Sequence, residues 1–143
     1  MQGSLKSDSL SADEFFIAVV AALKLSGQSA VDINTDLDQA FERIYNAVRD
    51  RAKENCIHMP FRIKINPAYG DSTFLRELID AGSKNNVVDV ANPSFKRMRP
   101  KLTDDQAGFF LARLPIDRAW FQELVAAQFD IETQRARREN AAS

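Results

Sequence analysis

The segment 12–25 (ADEFFIAVVAALKL) is apolar on nearly every side of a helix, and this constrains the chain more than any other feature. Phe15, Phe16, Ile17, Val19, Val20, Leu23 and Leu25 leave no polar stripe. A helix without a wet face must be surrounded, either at the centre of a core or at an interface. Ser11-Ala12-Asp13-Glu14 marks its start as a capping box, in which the Ser11 hydroxyl accepts from the Glu14 amide while the Glu14 side chain reaches back. Gly27 supplies the stop. The run is about half the ~20 residues that cross a bilayer, and it contains Lys24, so a buried helix is predicted rather than an anchor. Asp13 and Glu14 ahead of it are the wrong charge order for a secretory signal.

The remaining elements follow from periodicity. Leu37, Phe41, Ile44, Val48 and Ala52 make one stripe on a helix predicted over about 36–54, opened by Asp36 and Asp38 as helix-start charges. In MPFRIKIN, residues 59–66, the period changes to two: Phe61, Ile63 and Ile65 alternate with Arg62 and Lys64, as in a half-buried strand. After an Asn66-Pro67 and Tyr69-Gly70-Asp71 turn, a short helix over 72–81 buries Leu75, Leu78 and Ile79 and ends at Gly82. Val87 to Val90 is a second strand. Asn92-Pro93-Ser94-Phe95 is a turn, and Lys96 to Leu102 returns as a third strand that Pro100 confines to an edge. A second capping box, Thr103 to Gln106, opens a helix to about Leu114. Pro115 starts the last helix, 116–129, with Ile116, Trp120, Leu124 and Ala127 as its core face.

These elements define an α+β fold in which about five helices pack on a small sheet of two or three strands. A flexible leader (1–10), one globular domain (11–129) and a loose charged tail (130–143) are expected. The 143 residues match one domain, and 45% hydrophobic with 27% charged residues is ordinary for a globular chain. Cys56 is the sole thiol, which excludes an internal disulfide and a Cys-based zinc site and suits a reducing, cytoplasmic setting.

A net charge of -1 gives the whole molecule no strong attraction to nucleic acid or an anionic membrane, and no membrane association is expected. Its distribution is uneven. Residues 1–60 carry 6 basic and 9 acidic groups, residues 61–101 carry 8 and 4, and residues 102–143 carry 5 and 7. Lys96, Arg97, Arg99 and Lys101 fall within six consecutive residues, and Arg62 and Lys64 join them on one exposed side if the hairpin forms. Such a surface neutralises phosphates, with Phe95 and Met98 placed to pack on bases. The same residues also serve as guards of an exposed sheet edge, which is the leading reading, or as contacts for an acidic protein partner. A helix followed by a basic hairpin resembles the recognition helix and wing of winged-helix proteins. Those proteins place two short helices ahead of the hairpin, whereas this chain has one, 72–81, and the assignment is not made. Arg135, Arg137 and Arg138 form a further cluster, read as part of a solvated tail.

Catalytic patterns are incomplete. Asp32-x-Asn34-x-Asp36 begins like a calcium loop but has Leu37 where the sharp turn needs Gly and Arg43 where a bidentate Glu is required. Cys56 and His58 lie two residues apart with no further Cys or His to complete a metal site or an activated nucleophile, and are read as a part-buried thiol and a helix-terminal imidazole. Arg51 and His58, with six residues between them, are similar to the Arg-x(4–6)-His motif of the HEPN ribonucleases. There the His implies acid–base chemistry and the Arg stabilisation of phosphate charge. That motif lies on a helix of an all-helical bundle, while His58 is followed by Met59-Pro60 and a strand, so the family is not assigned. No cofactor is expected. The resulting expectation is a small non-catalytic binding or regulatory protein acting through a protein partner or self-association, supported by the apolar first helix and by Phe109, Phe121 and Phe129, which read as exposed. The alternatives are a nucleic-acid-binding regulator using Arg62, Lys64, Lys96, Arg97, Arg99 and Lys101, and a nuclease or other hydrolase at His58.

Overall fold

A computed structural model of the chain describes residues 9–28, 30–68, 70–90 and 97–129. The expected leader up to residue 8, the turn at 92–95, Lys96 and the charged tail with Arg135, Arg137 and Arg138 lie outside the described residues. The architecture is helix-dominated α+β: α1 (Ala12–Leu25), β1 (Val31–Asp32), α2 (Thr35–Glu54), α3 (Thr73–Lys84), β2 (Val88–Asp89), β3 (Arg97–Pro100), α4 (Asp104–Ala112) and α5 (Arg118–Phe129). Among the described residues, no helix is long and apolar enough to cross a membrane.

The apolar helix α1 lies at the centre. Phe15, Phe16, Ala18, Val19, Val20, Ala21, Ala22 and Leu23 are all buried. Both arms of the capping box form, with Ser11 N donating to Glu14 Oε1 at 2.9 Å and Glu14 N to Ser11 Oγ at 3.2 Å. The walls around α1 are α4, packed most extensively, then α5, α3 and β3. Helix α2 reaches it mainly with rings: Phe41 lies 6.3 Å from Phe15 and 5.9 Å from Phe16, and Phe129 of α5 closes on Phe41 at 6.2 Å. The wall from α3 comes closest at Gly82, where a Cβ would stand 2.7 Å from Phe16 Cε2. Gly82 was expected to end α3. It sits inside the helix, which continues to Lys84 and is capped by Asn85, with Asn86 taking the left-handed turn (φ 62°). Leu10, assigned to the leader, is 1% exposed and belongs to the core.

The sheet is antiparallel in the order β1-β3-β2. Two expectations change here. First, β3 is the central strand, not an edge. Pro100 is compatible because the flanking ladders are staggered: β1 pairs Val31 with Met98 and Asp32 with Arg97, while β2 pairs Val88 with Pro100 and Asp89 with Arg99. The missing Pro100 N–H faces no β1 partner, and Lys101 N carries the ladder on by donating to Val87 O at 2.9 Å. Second, 59–66 is not a strand. Its period-two burial holds, with Ile63 buried, Phe61 and Ile65 half-buried, and Arg62 and Lys64 exposed. Side chains of α2 hold this extended segment instead: Tyr45 Oη donates to Phe61 O at 2.8 Å, and Glu42 Oε2 accepts from Ile65 N at 3.4 Å. Helix α5 is also turned. Its buried set is Phe121, Val125 and Phe129, while Trp120 and Leu124 are half-buried and Ala127 is exposed. Ile116, just ahead of the helix, is buried as expected, Phe129 meets Phe41 edge-on, and Trp120 instead carries the Arg51 guanidinium 4.4 Å from its ring centre.

Asp38, expected to be a helix-start charge, is fully buried and grips Arg76 of α3 with both oxygens, at 3.4 Å to Nε and 2.6 Å to Nη2. The cap of α2 is Asn34, whose Oδ1 accepts from Leu37 N at 3.0 Å. The pair locks α2 to α3, and its partners are unequal because the Arg76 side chain is 36% exposed and Asp38 is not exposed at all. Arg76→Ala therefore strands a buried carboxylate and is expected to cost about 3 kcal/mol. Asp38→Asn leaves a guanidinium that reaches water and should cost about 1 kcal/mol. Urea denaturation of the two variants reads the difference, and equal losses or the reverse order would contradict this account of the pair.

Candidate functional site

The basic residues divide into two groups. Arg97 and Arg99 alternate with buried Met98, so both point to the outer face of β3. The register sets an aspartate opposite each: Arg97 Nε lies 3.3 Å from Asp32 Oδ1 of β1, and Arg99 Nη2 lies 2.8 Å from Asp89 Oδ2 of β2. Lys101 Nζ donates to Asn86 Oδ1 at 3.4 Å. Exposed cross-strand pairs contribute about 0.2–1 kcal/mol each to the sheet. Their larger effect is on the field, because each guanidinium stands beside a carboxylate. β3 is central in strand order, but each half of it is paired on one side only, Arg97-Met98 with β1 and Arg99-Pro100 with β2. Arg62 and Lys64 lie on the extended segment outside the sheet, and line a separate cavity of about 300 Å³ with Ser72, Thr73 and Phe74 at the start of α3. The structure brings Arg97, Arg99 and Lys101 into one row but leaves Arg62 and Lys64 out of the expected hairpin.

The residues weighed for catalysis lie at and just past the end of α2. Cys56 is exposed, not part-buried, in a left-handed turn (φ 56°) just past α2. His58 is exposed, and its backbone carbonyl accepts from Leu10 N at 2.8 Å. Arg51 lies over Trp120 and lines a cavity of about 320 Å³ with Leu114, Ile116 and Arg118, a lining that does not include His58. The acids of the aborted calcium loop take other roles: Asp32 pairs with Arg97, Asn34 caps α2, and Asp36 stands in the first turn. They border a cavity of about 490 Å³, together with Arg43 and Arg97. Two carboxylates and two guanidiniums cancel there, and Arg43 Nε is held by Gln128 Oε1 at 2.6 Å. Among the described residues, no cluster of three or more His, Cys, Asp or Glu side chains is placed to hold a metal ion.

A different surface remains without a structural role. Phe109 of α4 is 56% exposed, the one large hydrophobic side chain among the described residues to stand in water. It borders a groove of about 240 Å³ between the start of α1 and the end of α4, lined by Leu10, Ile17, Phe110 and Leu114 with Glu14 and Arg113 at the rim. The Arg113 guanidinium sits 5.2 Å from the Phe109 ring centre, and Phe110 meets Phe109 edge-on at 5.5 Å. The adjacent pair Phe109-Phe110 is a sequence signal for this outcome, because consecutive residues lie about 100° apart around a helix and α4, unlike α1, is buried on one face only. Phe121 and Phe129, grouped with Phe109 as exposed, are buried. The share of Leu10 and Ile17 in the groove had no sequence signal, since it arises from how α1 meets α4. Comparison with known proteins gives no matching family model, no matching curated protein and no matching solved structure.

If the carboxylates of β1 and β2 neutralise the row on β3, Asp32→Asn with Asp89→Asn should unmask it. Fluorescence-anisotropy titration of a labelled oligonucleotide at about 50 mM salt is expected to show tighter binding by the double variant. Its salt dependence should be steeper by about one to two in log–log slope, as two further phosphate contacts form. Identical titrations for the variant and the native protein would contradict the neutralisation.

Proposed function

We propose that the protein is a non-catalytic binding protein of regulatory type, and that it acts through protein–protein contact at the groove between α1 and α4. The observation that carries this reading is Phe109, a large ring held in water beside an apolar groove. Removing such a ring from water contributes roughly 2 kcal/mol, and a partner's side chain seated in the groove adds to it. Aromatic anchors next to a pocket, with charges at the rim, are the usual composition of an interface hot spot. The alternatives have less support. A nucleic-acid surface draws less on Arg97 and Arg99, because each faces an aspartate, and rests on Arg62, Lys64 and Lys101 with Lys96, which lies outside the described residues. A hydrolase at His58 has less support, because Arg51 stacks on Trp120 and His58 is exposed beyond the end of α2.

The direct test begins with a partner recovered on the immobilised protein, then purified and titrated against the native chain and Phe109→Asp. The variant should keep its stability within about 0.5 kcal/mol, since the side chain is exposed. It should lose about 2 kcal/mol of binding, roughly thirtyfold in Kd. Equal affinity for the two proteins would remove the groove from the account.

A further inference from the structure

We infer that the α1–α4 groove is self-complementary and that its occupant is a second copy of this chain, paired about a two-fold axis. This rests on the reading of the groove as a contact surface. A two-fold interface requires one patch to carry both halves of each contact. Here a projecting ring, Phe109, stands beside a hollow of about 240 Å³. A cavity of about 150 Å³ already accepts a benzene ring, so this hollow has room for the phenyl group of a partner copy. The rim carries one acid, Glu14, and one base, Arg113. Among the described residues Arg113 has no carboxylate partner, and its guanidinium is held at the rim by stacking on Phe109. Glu14 gives one oxygen, Oε1, to the capping box. Two-fold pairing sets Glu14 of each copy against Arg113 of the other, so both charges are matched by the same operation that seats the rings.

The size of the patch sets the strength. A standard interface covers about 800 Å² per partner, and seven lining residues fall well below the roughly 20–30 that such an interface uses on each side. The dimer is therefore reversible, with a Kd of about 10 µM to 1 mM, in the range of small, weak interfaces. Sedimentation velocity of the full chain from about 1 µM to 1 mM is expected to show a monomer–dimer equilibrium. Phe109→Asp should abolish it, and Arg113→Glu should weaken it at least about tenfold by setting like charges together. Adding Glu14→Gln to Arg113→Glu should return part of that loss, because Gln keeps the capping box while removing the repulsion. A strict monomer across the range overturns the inference, as does a dimer untouched by Phe109→Asp. Failure of Glu14→Gln to restore any association overturns the two-fold charge pairing. If the native chain is monomeric and a purified partner still loses affinity on Phe109→Asp, the groove remains a contact surface and only the second copy is wrong.

Discussion

Surrounding α1 is the requirement on which the rest of the structure depends. Eight of its fourteen residues are buried, and they face every direction around the helix. Each large side chain taken from water contributes about 1.5–3 kcal/mol, so no side of α1 is left bare at low cost. Four elements supply the walls, and where α3 comes closest even a methyl group at Gly82 would collide with Phe16. The helix was open to two readings, a core or an interface. Its own chain covers most of it, with Glu14 and Ile17 at its start left to line the groove beside α4.

The same requirement explains the placing of the charges. β3 turns Met98 inward, fully buried, and contributes to the wall around α1. A strand with that duty becomes the centre of the small sheet, flanked by β1 and β2. Each neighbour is only two residues long, and each brings its aspartate opposite an arginine. A basic row that looks concentrated along the chain becomes a set of alternating charges in space. Linear charge density ignores what folding brings alongside, and here that neighbour is acidic on both sides.

Helices with a clear apolar stripe and a capping residue were legible nearly to the residue, as with Ala12–Leu25 and its Ser11–Glu14 box. Extended segments were less so. Alternation at 59–66 reports which side chains are buried, and it does so correctly. It carries no information on whether the backbone is paired to a strand or held by Tyr45 and Glu42 of a helix. β1 was missed because two residues have no period. The orientation of α5 failed for a related reason: Trp120 and Phe121 are neighbours, and the choice of which faces inward is made by Phe41 and the space beside α1. Burial of Asp38 was likewise unreadable, since its partner Arg76 lies 38 residues away on another helix. Of the candidate site, Phe109 was legible and the groove beside it was not.

A central helix walled in by its own chain, and a proposed contact surface beside the helix packed against it, together make one account of the molecule. Native-state hydrogen exchange tests its central claim most directly. Amides of Phe15 to Leu23 should exchange only through global unfolding, with an opening free energy equal to that from denaturant titration at the same protein concentration. Exchange of those amides through a smaller local opening would show that α1 is exposed at low cost and contradict the account.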